Sequence, residues 1–265
     1  MIVSINLAET IRGKVMFQML FGDAKLWRSI VEALSSLVDE ANFTAAPGGI
    51  RMKAMDPSHI AMIDFEMPKG AIDDYRCSKE IQLGINLDEM TKIMRRGGSG
   101  DSLELSLNEK TNRLNARFKG KATRTFSLAL LDLQMEELPT PKIEFNAFAK
   151  VTTDVLRQAI DDAAIISDHI RMVTSNKELG LFASGDTGEL EIKLNKKSDA
   201  LLEMNVKEES KAMYALDYLS DIMKAAATTD IVELQYSTNM PIRLDFVLLN
   251  GGRIVYYLAP RIESE

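Results

Sequence analysis

The feature that most constrains this 265-residue sequence is an internal repeat with a constant offset. The clearest match joins two helical segments, because Leu87 corresponds to Leu216 at an offset of 216 − 87 = 129. The matched positions are Leu87, Asp88, Met90, Ile93, Met94 and Arg95 against Leu216, Asp217, Leu219, Ile222, Met223 and Lys224. An earlier helical segment places Trp27 on Leu156, and a strand-like segment that contains Ile50 obeys the same offset. Three segments that share one offset indicate a tandem duplication.

Each copy combines strand-like segments with two amphipathic helical segments. Apolar and polar residues alternate, as in half-buried strands, over residues 102–107, 114–118, 231–236 and 242–248. Glycine clusters at residues 47–49, 97–100 and 250–252 are typical of turns between strands. The pattern predicts an α+β fold of two similar domains with antiparallel sheets.

A connector separates the two copies. Residues 131–142 contain Pro139, Pro141 and a cluster of acidic residues. Proline removes a backbone donor and disfavours a helix at the preceding residue, so this segment is predicted to be extended. The predicted organisation is therefore a first domain over residues 16–130, the connector, and a second domain over 143–265.

Composition excludes several classes of protein. The net charge is −7, so a nucleic-acid ligand requires that basic residues gather on one surface, because local potential steers a polyanion. A single cysteine, Cys77, excludes a disulfide framework and a four-thiolate zinc site. No apolar run reaches the roughly 20 residues of a membrane helix, and residues 1–15 make a poor signal peptide. We therefore predict a cytoplasmic protein without a membrane segment.

No catalytic constellation is visible in the sequence. Only two histidines are present, His59 and His169, and Cys77 has no histidine near it in sequence. Asp56 and His59 could be imagined as metal ligands, but a loop histidine without further ligands is the favoured interpretation. The glycine cluster at residues 97–100 lacks the Lys-Ser/Thr of a phosphate-binding loop. We therefore expect no enzyme activity, no metal and no cofactor.

Several strings are specific to one family. They are AMDPSHIA (54–61), YRC (75–77), GINLDEMTKIM (84–94), FASGDTGELEIKL (182–194) and the C-terminal YYLAPRIESE. Together with the repeat and the connector, they resemble the proliferating cell nuclear antigen family, in particular its archaeal form. The resemblance covers about Met16 to Ile262. Residues 1–15 precede the usual start of the family, so an extension, an upstream-start artefact and a disordered arm all remain open for them.

The resemblance implies a sliding clamp, a polymerase processivity factor that encircles duplex DNA as a trimeric, pseudo-sixfold ring. Helices over residues 24–40, 86–96, 153–167 and 215–226 would line the hole. Residues 112–118 of one subunit would pair with residues 177–183 of the next, in a homotrimer or a heterotrimer. Basic residues expected to contact DNA phosphates without reading bases are Lys25, Arg28, Lys92, Arg95, Arg96, Arg157 and Lys224. Asp161 and Asp162 depart from the family pattern and weaken the third helix as a phosphate surface.

The resemblance also implies an apolar pocket under the connector. Its expected residues are Met55, His59, Ile60, Leu138, Pro241, Tyr257, Ala259 and Pro260. The expected partners are a clamp loader and clients such as DNA polymerase, flap endonuclease and ligase, which insert aliphatic and aromatic anchors. An alternative makes Met55 and Ile60 ordinary core residues, and strand alternation requires that one of Tyr256 and Tyr257 be buried.

A different class of function is also open. The chain could be an interaction scaffold of the same fold that no longer encircles DNA, for example one subunit of a heteromeric ring. Loss of basic residues from the helices that line the hole would favour that alternative. A nuclease is a distant third, because no cluster of acidic metal ligands is visible.

Overall fold

The computed structural model describes residues 16–134, 138–186, 188–248 and 251–262, so the predicted extension over residues 1–15 lies outside the described residues. The first half contains β1 (Phe17–Phe21), α1 (Ala24–Leu34), β2 (Glu40–Ala46), β3 (Gly49–Met55), β4 (Ala61–Pro68), β5 (Asp74–Cys77), β6 (Ile81–Asn86), α2 (Leu87–Met94), β7 (Ser102–Asn108), β8 (Arg113–Lys119) and β9 (Thr123–Ala129). The second half contains β10 (Ala147–Thr152), α3 (Thr153–Ile166), β11 (His169–Thr174), β12 (Glu178–Gly185), β13 (Gly188–Asn195), β14 (Leu201–Val206), β15 (Ser210–Ala215), α4 (Leu216–Ile222), β16 (Ile231–Tyr236), β17 (Ile242–Val247) and β18 (Arg253–Leu258). Two 3₁₀ helices, Lys69–Ala71 and Met223–Thr228, complete the described elements.

The two halves repeat the same arrangement at the predicted offset. Helix α1 begins at Ala24 and α3 at Thr153, and 153 − 24 = 129. Helices α2 and α4 begin at Leu87 and Leu216, which gives the same difference. Strand β1 pairs with β5 and β7 as β10 pairs with β14 and β16. The tandem duplication is therefore confirmed.

Within the described residues, three antiparallel sheets carry this repeat. A five-stranded sheet has the order β5-β1-β7-β8-β9, and a four-stranded sheet has the order β13-β12-β11-β15. A nine-stranded sheet, β14-β10-β16-β17-β18-β4-β3-β2-β6, contains strands of both halves. The halves meet where β18 pairs with β4, for example at Tyr256 and Ile63. The predicted α+β class with antiparallel sheets is confirmed.

The helices form a single layer against the sheets. Helix α1 packs against α2 and the 3₁₀ helix Met223–Thr228, and α3 packs against α4 and that same 3₁₀ helix. Trp27 on α1 is 1% exposed and stacks on Phe21 at a centroid distance of 5.4 Å. The hydroxyl of Tyr256 on β18 donates to the carbonyl of Ala33 at 2.9 Å. We call α1, α2, α3, α4 and this 3₁₀ helix the helical layer.

Two of the four predicted helices end at least four residues early. Helix α1 ends at Leu34 and not at residue 40, because the hydroxyls of Ser35 and Ser36 donate to carbonyls of the preceding turn at 3.2 and 2.8 Å. Such bonds offer the backbone an alternative to continued helix. Helix α4 ends at Ile222, and the chain continues as the tighter 3₁₀ helix Met223–Thr228.

The predicted pairing between subunits through residues 112–118 and 177–183 is wrong. These residues form β8 and β12, and each strand lies inside its sheet: β8 between β7 and β9, and β12 between β11 and β13. Their backbone donors and acceptors are already used on both sides, so they cannot accept another strand. The outer neighbour of β8 is β9, and that of β12 is β13. Among the described strands, β9 and β13 each pair on one side only.

The connector begins by crossing the edge of β6. The amide of Leu131 donates to the carbonyl of Gly84 at 2.8 Å, and the side chain of Asn42 donates to the carbonyl of Leu133 at 3.1 Å. The C-terminal segment repeats this crossing in the second half, where the amide of Arg261 donates to the carbonyl of Met213 at 2.7 Å. The segment that follows the last strand of each half is thus held at an equivalent place.

Gly84→Ala is predicted to loosen the start of the connector. A Cβ at Gly84 would overlap the carbonyl oxygen of Leu131, whereas a Cβ at Gly48 would meet no atom within 4 Å. We expect Gly84→Ala to lower the free energy of unfolding by about 1–3 kcal/mol in denaturant titrations. Gly48→Ala is the matched control. Equal stability of the two variants would contradict the close approach.

Candidate nucleic-acid and partner-binding surfaces

The basic residues predicted in the first half lie on the helical layer. Lys25, Lys92, Arg95 and Arg96 are exposed, and Arg28 is partly exposed. They lie away from the core faces of α1 and α2, whose buried residues include Trp27 and Met90. The positions three or four apart share a helix face, so these charges form one surface.

A shared carboxylate joins the two first-half helices. Glu32 on α1 accepts from Arg28 at 3.3 Å and from Arg95, which follows α2, at 3.0 Å. Lys92 lies 2.7 Å from Glu89 on its own helix. Exposed pairs of this kind contribute about 0–1 kcal/mol each, so these side chains can exchange a carboxylate for another anion at little cost.

The second half places fewer basic residues on the same layer. Arg157 is exposed on α3, and Lys224 is exposed on the 3₁₀ helix that follows α4. Lys224 lies 2.7 Å from Asp221. Asp161 and Asp162 follow Arg157 on α3, so the basic residues of this half lie among acidic ones.

An apolar cleft lies where the two halves join. The strand register places Met55, Met62 and Tyr257 side by side on β3, β4 and β18. Because successive side chains alternate between sheet faces, Tyr256 points to the helical layer and Tyr257 to the opposite face. A cavity of about 270 Å³ results. We call it the junction cleft, and it is lined by Met55, His59, Ile60, Ala61, Met62, Leu138, Pro139, Pro141, Ile143, Pro241, Tyr257 and Ala259.

Most of the residues predicted for the pocket line the junction cleft. Of the eight, only Pro260 lies outside the lining. Sequence reasoning missed Ala61, Met62, Pro139, Pro141 and Ile143 as lining residues, although Met62 could have been found from its place beside Tyr257 once β4 and β18 were paired. Ile60 is 39% exposed, so it is available to a ligand and is not an ordinary core residue.

Asp56 organises the loop that forms one wall of the junction cleft. It is 4% exposed, and its carboxylate accepts the amides of Ser58, Ile60 and Ala61 at 2.9, 2.7 and 2.6 Å. It also accepts the hydroxyl of Tyr218 on α4 at 2.8 Å. Burial alone would raise the pKa of Asp56, but these hydrogen bonds outweigh it and hold the pKa below its usual value.

The metal alternative at Asp56 and His59 is not supported. Both carboxylate oxygens of Asp56 already accept hydrogen bonds, and Nδ1 of His59 lies 3.2 Å from the sulfur of Met55. His59 has a φ of 56°, a left-handed conformation, and its residue lines the cleft. In the described ranges, no group of three or more His, Cys, Asp or Glu side chains could hold a metal ion.

Cys77 has the environment of an unreactive thiol. Its Sγ donates to the carbonyl of Lys79 at 3.0 Å. Burial raises the pKa of the Cys77 thiol, so little thiolate is present at neutral pH.

Among the described helices, none is long and apolar enough to cross a membrane.

These features define a class of protein. Two similar α+β domains share a sheet, expose basic residues on one helical layer, and form an apolar cleft at their junction. Such surfaces bind polyanions and peptide segments through charge and shape, and neither contains a nucleophile with an adjacent base. The class is a two-domain binding protein.

Comparison with known families specifies the class. The model of the proliferating cell nuclear antigen N-terminal domain matches residues 16–138, and that of the C-terminal domain matches residues 139–261. The chain therefore belongs to the proliferating cell nuclear antigen family.

Similar proteins agree with this assignment. The chain is 36% identical over 249 residues to the DNA polymerase sliding clamp of Thermofilum pendens, covering 94% of this chain and 100% of that protein. It is also 36% identical to the DNA polymerase sliding clamp of Thermococcus gammatolerans over 94% of this chain and 99% of that protein. The solved structure of the family member from Thermococcus kodakaraensis has a TM-score of 0.89 and 27% identity, covering 92% of this chain and 100% of that one.

The low pKa of Asp56 predicts how stability depends on pH. A carboxyl whose pKa is depressed by folding stabilises the fold above its unfolded pKa of about 3.9, and this contribution is lost as pH falls through the folded pKa. Asp56→Asn should therefore lower the free energy of unfolding by about 1–3 kcal/mol at pH 7. The difference from wild type should shrink in denaturant titrations below about pH 4.

Substitution of the exposed residue Asp199, as Asp199→Asn, provides the control. It should leave stability unchanged within about 0.5 kcal/mol at every pH. A difference between wild type and Asp56→Asn that stays constant from pH 7 to pH 3 would contradict the role given to the carboxylate.

Proposed function

We propose that three copies of this chain close into a ring around duplex DNA and hold client enzymes in the junction cleft. The chain is a DNA polymerase sliding clamp, that is, a processivity factor and not an enzyme. The observation that carries the finer proposal is the tandem fold, which places two helix-bearing halves side by side on one layer. In this proposal the first domain covers residues 16–130, the connector 131–142, and the second domain 143–265.

Ring closure is proposed to use the outer strands of the two smaller sheets. Strand β9 belongs to the first half and β13 to the second, and each pairs on one side only within the described residues. Contact between β9 of one copy and β13 of the next is head to tail, which generates a closed ring when the rotation allows it. Pairing would also remove two exposed edges that invite aggregation.

The helical layer would then face the hole. Lys25, Arg28, Lys92, Arg95 and Arg96 would contact phosphates, which carry no sequence information. Lys224 and Arg157 would contribute less to the attraction of phosphates. Weak and uniform contacts suit a protein that slides, because the closed ring and not the contact energy retains the DNA.

The junction cleft is proposed to bind clients through a short helical turn with aliphatic and aromatic anchors. Methionine side chains adapt to different anchors, and tyrosine and proline give rigid walls. DNA polymerase, flap endonuclease, ligase and the clamp loader are the proposed partners. Holding an enzyme on the ring raises its effective concentration at the DNA. The corresponding location is the cytoplasm, on chromosomal DNA.

An interaction scaffold that does not encircle DNA is the second candidate. The acidic residues on α3, Asp154, Asp161 and Asp162, favour it because they reduce attraction to phosphates. The two candidates differ in how they hold DNA, since a ring retains a closed circle by topology alone.

The topological proposal predicts retention on circles at high salt. The full chain, loaded by its clamp loader onto a nicked circular plasmid, should co-elute with the plasmid in high-salt gel filtration. Cutting the plasmid at one site after loading should release it, because the ring slides off an open end. Release from intact circles at the same salt concentration would contradict encirclement and favour the scaffold.

The cleft proposal predicts that Tyr257→Ala weakens client binding. Tyr257 is 8% exposed beside Met62, and removing an aromatic anchor site typically costs about 2 kcal/mol, or roughly thirtyfold in affinity. The measurement is calorimetric titration of a peptide with aliphatic and aromatic anchors. Leu202→Ala, at a 48% exposed residue on β14, is the control and should bind like wild type. Equal affinity for all three proteins would contradict this site.

A further inference from the structure

Two pairs of equivalent positions carry opposite charges on the helical layer. The offset of 129 places Lys25 of α1 on Asp154 of α3, since 154 − 25 = 129. It places Lys92 of α2 on Asp221 of α4, since 221 − 92 = 129. The repeated fold gives both members of each pair the same place on their helix, so the reversal changes charge and leaves position unchanged.

As a result, the two halves of the layer carry net charges of opposite sign. The first-half segments 24–34 and 87–96 carry basic Lys25, Arg28, Lys92, Arg95 and Arg96 and acidic Glu32, Asp88 and Glu89. The second-half segments 153–166 and 216–228 carry basic Arg157 and Lys224 and acidic Asp154, Asp161, Asp162, Asp217 and Asp221. The basic residues are thus in excess in the first half and outnumbered in the second. A third equivalent pair contributes to this, because Arg96 corresponds to the apolar Ala225.

The acidic residues of the second half of the layer are all at least partly exposed. Asp154 is exposed, and its pKa is held below the usual value by the side chain of Thr152 and the amide of Val155. Asp221 is partly exposed and lies 2.7 Å from Lys224, which offsets one of the two basic residues of this half. These carboxylates therefore face any polyanion that approaches α3 and α4.

The two halves of the layer act separately on a duplex. Packed helices lie about 8–10 Å apart, so the centres of two-helix sectors are separated by roughly 20 Å. The Debye length at physiological salt is about 8 Å, so the fields of neighbouring sectors do not average to a single sign. A phosphate near α1 and α2 meets an attractive surface, and one near α3 and α4 meets a repulsive surface.

We infer that the duplex is held by the first-half helices alone, and that the second-half helices repel it. This inference rests on the proposed ring, in which three attractive sectors alternate with three repulsive ones. The duplex then lies against a first-half sector and away from the second-half sectors. Lys25 and Lys92 determine where the DNA lies, and Asp154 and Asp221 determine where it does not.

Charge-neutralising variants at equivalent positions test the inference. The double variant Lys25→Gln/Lys92→Gln removes attraction, and Asp154→Asn/Asp221→Asn removes repulsion at the matched sites, with little change of shape. Native mass spectrometry first confirms that both assemble like wild type. The measurement is fluorescence anisotropy of a labelled blunt-ended duplex of about 30 base pairs titrated with clamp at several salt concentrations.

The inference predicts opposite effects of the two double variants. The lysine variant should bind roughly threefold to tenfold more weakly, and its slope of log affinity against log salt should shrink by about 0.9 for each phosphate that it no longer neutralises. The aspartate variant should bind roughly threefold to tenfold more tightly at low salt. Arg157→Gln should stay within about twofold of wild type, because its surroundings are acidic.

Three results would overturn the inference: an aspartate variant with unchanged or weaker affinity, a lysine variant with unchanged affinity, or a decrease in affinity for Arg157→Gln as large as that of the lysine variant. Retention of the wild-type protein on circular plasmid, measured in parallel, separates a failure of this inference from a failure of the proposed function. If wild type is retained while both double variants behave like it, the inference alone fails. If wild type is not retained, the proposed ring fails and the inference with it.

Discussion

The antiparallel pairing of β18 with β4 is the interaction on which the rest of the structure depends. It joins two repeated halves into one nine-stranded sheet and so brings the helices of both halves into a single layer. The same pairing sets Tyr257 beside Met62 and thereby creates the junction cleft. A shift of one residue would reverse the two tyrosines, because strand side chains alternate between faces. Tyr256 would then leave the core beneath α1, and Tyr257 would leave the cleft.

The seam between the halves is reinforced at two further places. On the helical side, Tyr218 of α4 donates to Asp56 of the cleft loop at 2.8 Å. At the end of the seam, the amide of Ala259 donates to the carbonyl of Ile60 at 2.9 Å. The wall of the cleft is thus held by residues of the second half, although its loop belongs to the first. A preformed apolar site of this kind binds a peptide with little loss of entropy by the protein.

Much of this architecture could be predicted from the sequence because its signals are local. The repeat was visible in residues such as Leu87 and Leu216, and alternation placed β16 at its observed bounds, Ile231–Tyr236. The resemblance supplied seven of the residues that line the junction cleft. The errors concern non-local facts. Whether a strand lies inside a sheet or at its edge depends on partners distant in sequence, so the pairing that the resemblance implied for β8 and β12 is wrong. The end of α1 depends on two serine hydroxyls that donate to backbone carbonyls. Hydrophobic periodicity in the sequence does not reveal those hydrogen bonds.

The central claim is that two fused copies of one fold present a common helical layer that surrounds DNA when three chains assemble. Electron cryomicroscopy of the full chain expressed alone tests this most directly. The account predicts a closed ring of three copies, with β9 of each chain against β13 of the next and the helical layers of all three chains around an open hole. A ring with the helices on its outer surface, or an assembly with no opening wide enough for a double helix, would contradict it.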